Sequence, residues 1–222
     1  MSVAERLIGV RMSIPEAIDL VAVSKFHPKE AIMEAYGAGQ RLFGESRAAE
    51  LAEKATDLPA DIVWHFIGHL QTNKVRQVVS SASVIQSIDS ERLLRAVEAE
   101  AVKQGRRIDV LLQLHVAAEE TKFGLTPDEA YDLAQRVAPE LKAVTVTGVM
   151  GMASNTPDNP ARIASDFQAI RAAFDRLACG PMASNPRFAV CSMGMSDDRD
   201  LAIEAGSTMV RIGSDIFGPR EY

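Results

Sequence analysis

Eight short apolar runs recur along the chain, and longer segments whose apolar residues follow helical spacing separate them. Apolar runs of this length are typical of parallel strands that are buried on both faces. Regular alternation of strand and helix favours a parallel sheet with helices packed outside it. The predicted strands are residues 19–24, 41–44, 62–67, 84–87, 109–116, 144–150, 187–192 and 209–212.

The helical segments carry recognisable start and stop signals. Ser90 and Thr126 each precede a helical run and can cap it, with a proline following Thr126, while Gly105 and Gly206 suit helix exits. Eight repeats without a change in composition favour one closed (β/α)8 TIM barrel over an open sheet, in a single domain of residues 1–222. The best candidate linker, 154–160, is only a loop's length. The predicted helices are a leading helix in the first 12 residues, then 29–38, 46–56, 72–80, 90–104, 127–137, 161–178 and 197–205.

Composition narrows the class of protein. The 222 residues include 30 acidic and 24 basic side chains, a net charge of −6 without basic clusters, which argues against a nucleic-acid surface. We expect no membrane span, because no apolar run is long enough, and a cytoplasmic location, because the opening segment lacks a signal-peptide pattern. Cys179 and Cys191 lack the spacing of a zinc site, so no metal is predicted and a reduced protein is the simpler interpretation.

The stretch Leu-Val-Ala-Val-Ser-Lys places Lys25 directly after the first predicted strand. The carboxyl ends of barrel strands carry the ligand-binding and catalytic groups of this fold. The alternative is an exposed lysine that merely follows a strand, and this stretch alone does not decide between them.

Glycine and serine follow strands seven and eight, at Cys191–Asp198 and Met209–Gly218, and a helix start follows each turn. Such turns can hold a phosphate with backbone N–H groups, although most glycine-serine turns bind nothing. Together with Lys25 they indicate a phosphorylated carbonyl ligand. A lysine forms a Schiff base only as the neutral amine, so its pKa must fall from near 10.4 through burial or a nearby cation. Lys74 or Arg211 could be that cation, and for Arg211 a salt bridge in the barrel mouth is the equal alternative.

Seven segments together resemble the pyridoxal 5′-phosphate homeostasis proteins, which are alanine-racemase-N-terminal-like barrels. The resemblance implies a type III pyridoxal-phosphate fold with an extra N-terminal helix and the cofactor held as a Schiff base on Lys25. It also implies that Arg211 faces the pyridine nitrogen, where an arginine restrains carbanion chemistry, and that Ser192, Gly213 and Ser214 form the phosphate cradle. The segments are LVAVSK, FGES, WHFIGHLQTNK, IQSID, ETKFGL, GVMGM and the final SMGMSDDRDLAIEAGSTMVRIGSDIFGPREY.

Three positions depart from the pattern of that family. Ser46 stands where an asparagine is expected near the cofactor's ring oxygen, the fifth strand leads into a segment containing His115, and Asp215 adds a negative charge beside the phosphate turn. We expect His115 to fill space and Asp215 to point away from the phosphate. Ser46, together with His65 and Met150 at the ends of strands three and six, completes the predicted cofactor-binding set.

The resemblance implies a non-enzymatic carrier and buffer of pyridoxal phosphate, with no catalytic residue assigned. Dependent apoenzymes are the partners it implies, and a monomer is favoured because the second domain of alanine racemases is missing. The alternative is an amino-acid racemase whose two bases are Lys25 and either a water or His65. A third class, a protein-binding scaffold without a ligand, predicts a colourless protein.

Overall fold

Residues 1–116 and 123–219 are described by the structure, a computed structural model of the chain. Eight parallel strands pair in chain order and close into a barrel, which confirms the predicted fold. Pairing of β1 with β8 closes it, with Asp19 opposite Met209 and Ala22 opposite Ile212. The strands are β1 Asp19–Val23, β2 Leu42–Glu45, β3 Val63–Phe66, β4 Val84–Ile88, β5 Ile108–Gln113, β6 Val144–Met150, β7 Val190–Ser192 and β8 Met209–Ile212.

Helices alternate with the strands along the chain, and each of the predicted helical segments overlaps one of them. Short 3-10 turns precede α4 and follow α6. The helices are α1 Val3–Ser13, α2 Lys29–Gly37, α3 Ala48–Asp57, α4 Val75–Ser81, α5 Glu91–Gln104, α6 Pro127–Val137, α7 Pro160–Cys179, α8 Arg199–Glu204 and α9 Ser214–Phe217.

The helix boundaries follow the capping signals of the sequence. The Ser90 hydroxyl accepts the Leu93 N–H at the start of α5, and Thr126 and Glu129 form a reciprocal capping box at the start of α6. Gly105 ends α5 with a φ of +65°, a left-handed conformation that glycine adopts without steric cost. These local contacts confirm the predicted starts of α5 and α6 and the predicted end of α5.

Three features differ from the expectation. The seventh strand was expected to begin at residue 187, but β7 begins at Val190. The fifth strand was expected to reach residue 116, but β5 ends at Gln113, and Leu114 forms an isolated bridge with Leu125. Helix α9 was not predicted, because four residues are too few to show helical periodicity.

Helix α1 packs beside α9, next to the turn that follows β8. Its Val3, Leu7 and Val10 side chains are buried in the same core as Phe217 of α9. Arg6 adds a polar contact, since its Nε donates to the Ile216 carbonyl at 2.7 Å. The extra N-terminal helix therefore supports the end of the barrel that carries the last turn.

In the described parts of the chain, no helix has the length and apolar character needed to cross a bilayer.

Candidate functional site

A cavity of about 620 Å³ opens at the carboxyl ends of the strands. Side chains that follow β1, β3, β6, β7 and β8 line it, as expected for the ligand face of a barrel. Five of the eight predicted cofactor-binding residues meet there: Lys25, Met150, Arg211, Gly213 and Ser214. A surface depression of similar size, about 570 Å³, contains Lys74 but lies against α4 and α5 rather than at the strand ends. Of the two cations considered for lowering the pKa of Lys25, only Arg211 therefore lines the same cavity.

Arg211 is buried in the mouth of the barrel, with 5% of its surface exposed. Its Nη1 donates to Ser192 Oγ at 2.6 Å and its Nη2 donates to the Gly151 carbonyl at 3.1 Å. Burial lowers the pKa of the guanidinium to about 10, so the group stays protonated at neutral pH. Within the described residues, the guanidinium bonds to a hydroxyl and a carbonyl rather than to a carboxylate. The geometry therefore favours a ligand-facing cation over the salt bridge that the sequence left open.

A chain of hydrogen bonds leads from Arg211 into the barrel interior. Ser192 Oγ donates to Gln86 Oε1 at 2.8 Å, and Gln86 Nε2 lies 2.8 Å from His65 Nδ1. With the Gln86 amide assigned as the donor, His65 Nδ1 accepts and the ring proton sits on Nε2. Burial, with a smaller effect of the Arg211 charge, lowers the pKa of His65 to about 4, so its imidazole is neutral at pH 7.

Two of the predicted binding residues belong to this row of hydrogen bonds and lie beneath the cavity rather than along its wall. Ser192 is fully buried, and its hydroxyl lies between Arg211 and Gln86. His65 lines a smaller hollow of about 270 Å³ on the other side of the hydrogen-bonded chain, near the amino ends of the strands. Both residues are therefore placed to orient Arg211 rather than to line the cavity.

The turns after β7 and β8 meet at one wall of the cavity. Ser214 Oγ donates to Ser196 Oγ at 3.0 Å, and Gly213 precedes Ser214 in the same wall. Asp215 pairs with Arg199 of α8, so its charge is compensated there. Ser196 was missed as a binding candidate, although the serine-rich turn that contains it was predicted to hold a phosphate.

The remaining expected positions lie outside the cavity lining. Ser46 follows β2, and its backbone packs so closely on Gly68 that a Cβ added there would lie 2.1 Å from the Ser46 carbonyl oxygen. His115 is half-buried beside the Leu114–Leu125 bridge. Part of the predicted motif ETKFGL and the last three residues of the chain fall outside the described residues.

The donor set of the cavity suits a phosphorylated aromatic aldehyde. Lys25 supplies an amine, Arg211 a buried cation, and Ser196 and Ser214 a pair of hydroxyls, all facing one space that Met150 lines with apolar surface. An aldehyde, a ring nitrogen and a phosphate each find a chemically matched group. The residues present therefore fit pyridoxal phosphate.

Fold and site together define a (β/α)8 barrel of the alanine racemase type, with a lysine after the first strand and a buried arginine on the last. The sequence profile described as "Alanine racemase, N-terminal domain" matches residues 8–221. A "Pyridoxal phosphate homeostasis protein" of Vibrio alginolyticus is 38% identical over 213 residues, which is 94% of this chain and 89% of that protein. The protein of the same name from Homo sapiens is 37% identical, over 91% of this chain and 77% of that protein. The chain belongs to the pyridoxal phosphate homeostasis protein family.

Solved structures agree with this assignment. PipY of Synechococcus elongatus, solved with pyridoxal phosphate bound, is 36% identical and superimposes with a TM-score of 0.82 over 98% of this chain and 100% of PipY. An alanine racemase from E. faecalis is 17% identical and has a TM-score of 0.71, covering 95% of this chain and 56% of the racemase. The second likeness concerns the fold alone.

Proposed function

We propose that this protein binds pyridoxal 5′-phosphate through Lys25 and takes part in pyridoxal phosphate homeostasis as a carrier and buffer. The observation that carries the proposal is the meeting of Lys25, Arg211, Ser196 and Ser214 around one cavity. The names of the relatives and the cofactor bound in PipY support it. The protein would act in the cytoplasm as a monomer and would supply dependent apoenzymes.

Each group in the cavity has a distinct part in binding. Lys25 would hold the cofactor through its aldehyde, since a neutral amine and an aldehyde condense to a C=N bond with release of one water. Ser196 and Ser214 would offer their hydroxyl groups to the phosphate oxygens. Arg211 would present its positive charge to the ring nitrogen. When bound, the cofactor is a potential electron sink, and a cation beside its nitrogen weakens that capacity because it disfavours the protonated pyridinium.

We propose binding without turnover because the side chains considered as a second catalytic base lie away from the cavity. His27 and Asp197 also line it, and the His27 ring is stacked on Phe217 of α9 at 5.1 Å between centroids. Tyr36 lies on α2 and donates to Asp61, and Tyr131 lies on α6 against Arg176. His65, the second base in the racemase alternative, is separated from the cavity by Gln86 and Ser192. A racemase needs a proton donor and a proton acceptor on opposite sides of its substrate, and these positions supply neither.

The first test is spectroscopic. The purified protein mixed with pyridoxal phosphate should become yellow and keep its visible absorbance through dialysis, whereas Lys25→Ala should lose it and Lys74→Ala, a control at the α4–α5 surface, should not. Borohydride reduction followed by peptide mapping should find the label on the peptide that contains Lys25. Label on another lysine, or full retention by Lys25→Ala, would refute the proposed site.

The second test separates the carrier from the racemase. The protein is loaded with cofactor and incubated with single enantiomers of a panel of amino acids, and racemisation is followed by chiral chromatography. We expect rates far below the enzymatic scale of about 1 per second. Turnover on that scale would refute the carrier proposal and support the racemase alternative.

A further inference from the structure

A buried ion cluster holds the backbone on both sides of Lys25. We call Glu45, Glu50 and Lys54 the Lys54 triad. Lys54 Nζ lies 2.8 Å from Glu45 Oε1 and 2.6 Å from Glu50 Oε1, and 6% of its side chain is exposed. Glu45 closes β2, while Glu50 and Lys54 lie one turn apart on α3.

The triad fixes the residue before Lys25 through two hydrogen bonds. Lys54 Nζ donates to the Ser24 carbonyl at 2.9 Å, and Ser24 Oγ donates to Glu45 Oε1 at 2.6 Å. Ser24 is itself fully buried, and its N–H continues the β1–β2 ladder by donating to the Gly44 carbonyl. The peptide that leads into Lys25 is therefore held by both the sheet and the triad.

The triad also holds the residue after Lys25. Phe26 has a φ of +68°, a left-handed conformation that is uncommon for a bulky side chain and costs free energy unless its surroundings enforce it. Its N–H donates to Glu50 Oε1 at 2.7 Å, and the Arg47 guanidinium lies 4.4 Å from its ring centroid. The turn that directs Lys25 into the cavity is thus maintained by contacts from Glu50 of α3 and from Arg47, the residue that precedes this helix.

A purely stabilising role explains this arrangement poorly. Burying an ammonium with two carboxylates carries a large desolvation cost, and apolar residues of similar size often stabilise a core equally well or better. Glu45 shows the cost, since burial raises the pKa of its carboxyl to about 7 despite the adjacent Lys54 ammonium. What apolar side chains could not supply is the pair of directed bonds to the Ser24 carbonyl and the Phe26 N–H.

We propose that Lys54 is a positioning residue for Lys25: together with Glu45 and Glu50 it sets the backbone on both sides, so that the Lys25 amine meets the aldehyde at reacting distance. The inference rests on the proposed function. The step it governs is the condensation in which the amine and the aldehyde form a C=N bond and release water. Reactions of this kind lose rate steeply when a reacting group is displaced by about 1 Å.

The experiment compares Lys54→Met with Lys29→Met. Lys29 is a matched control, since its ammonium contacts Glu53 and Asp57 of the same helix α3, but on the surface and away from Ser24 and Phe26. Capture of pyridoxal phosphate and of pyridoxal is followed by stopped-flow visible absorbance. Far-ultraviolet circular dichroism and urea unfolding establish that each variant is folded.

We expect Lys54→Met to slow capture by roughly ten- to a hundredfold. Pyridoxal, which lacks the phosphate, should show the same slowing, because the triad acts on the amine and not on the phosphate turns. The visible circular dichroism per bound cofactor should also fall, since the chromophore is less well oriented. Lys54→Arg should restore part of the rate, while Lys29→Met should stay within about twofold of the wild type, as surface ion pairs contribute little.

The outcomes separate the two proposals. If the wild type forms no bond at Lys25, the proposed function fails; if it does and Lys54→Met captures both aldehydes at the wild-type rate, the positioning role is overturned. A slowing confined to the phosphorylated aldehyde would overturn it as well. Should Lys54→Met not fold, Glu50→Ala decides, since the Glu50 side chain is 20% exposed and its loss removes the acceptor of the Phe26 N–H: slower capture supports the role, and unchanged capture refutes it.

Discussion

Arg211 and His65 lie at the two ends of one buried row of hydrogen-bonded side chains, and burial leaves the first charged and the second neutral at pH 7. The guanidinium keeps its proton despite burial, and the imidazole gives up its proton because it is buried and lies near that charge. Ser192 and Gln86 connect the two through hydrogen bonds of 2.6 to 2.8 Å. The Arg211 guanidinium is therefore oriented through hydrogen bonds to neutral groups rather than to a carboxylate.

The neutral state of His65 should make stability depend on pH. Its pKa is lowered from 6.5 to about 4, so between these values the unfolded chain binds more protons and stability falls as pH falls. Relative to His65→Gln, the wild type should lose on the order of 3 kcal/mol of unfolding free energy between pH 7 and pH 4. Urea unfolding at a series of pH values measures the difference. Parallel stability curves for the two proteins would contradict a buried neutral imidazole.

The titration of Glu45 changes stability with pH in the opposite direction. The His65→Gln variant is therefore needed as the reference, because it isolates the contribution of His65. Burial raises the pKa of the Glu45 carboxyl from 4.5 to about 7, so in this window the folded chain binds more protons and stability falls as pH rises. Between pH 4.5 and 6.5 the two slopes partly cancel in the wild type. In that range the wild-type stability curve should therefore be flatter than the curve of His65→Gln, which keeps only the Glu45 slope of the two.

The meeting of Lys25 and Arg211 at the candidate site could be predicted from the sequence, but the contacts that support them could not. Lys25 and Arg211 stand at strand ends, and the barrel brings all strand ends to one face. The Ser192–Gln86 hydrogen bond joins residues 106 positions apart on β7 and β4, so it depends on how the barrel interior is filled. Ser196 was missed because its pairing with Ser214 depends on two separate turns meeting in space.

At the scale of elements, α1 supports the last turn of the barrel. Arg6 donates to the Ile216 carbonyl in α9, directly after the turn that presents Gly213 and Ser214 to the cavity. A helix that precedes the barrel in the sequence thus stabilises the wall proposed to hold the phosphate. Periodicity predicted α1 but not this contact, because α9 is too short to leave a periodic signal.

Arg6→Ala should therefore weaken cofactor retention without removing the site. Loss of one hydrogen bond worth about 1 kcal/mol corresponds to at most about a fivefold weaker affinity for pyridoxal phosphate. Arg11→Ala is the matched control, because Arg11 lies on the same helix but donates to the Ile18 carbonyl ahead of β1. Equilibrium titration followed by visible absorbance measures both variants. Equal affinities in the two would show that α1 does not support the phosphate wall.

At the scale of the whole molecule, barrel closure brings together the two strands that carry Lys25 and Arg211 to the candidate site. The β1–β8 pairing places Val21 beside Arg211 and so brings the Lys25 strand and the arginine strand together. Eight strand-helix repeats predicted this closure, since an eight-stranded parallel barrel leaves no exposed sheet edge. Capture of the cofactor should then bridge β1 to the turns after β7 and β8, which lie on the same part of the barrel wall.

Cofactor binding should consequently stabilise the whole barrel. At a free concentration of one hundred times Kd, a ligand that binds only the folded state adds about 2.7 kcal/mol, which for a chain of this size raises Tm by roughly 5 to 10 °C. Pyridoxine 5′-phosphate, which carries an alcohol in place of the aldehyde, is the control ligand, and Lys25→Ala is the control protein. The wild type with the alcohol, and Lys25→Ala with the aldehyde, should each give a much smaller rise in Tm by differential scanning calorimetry at the same ligand concentration. In neither combination can a covalent bond form between Lys25 and the ligand. An equal shift for the alcohol, or for Lys25→Ala with the aldehyde, would mean that the phosphate turns alone account for binding and that Lys25 does not bridge the barrel.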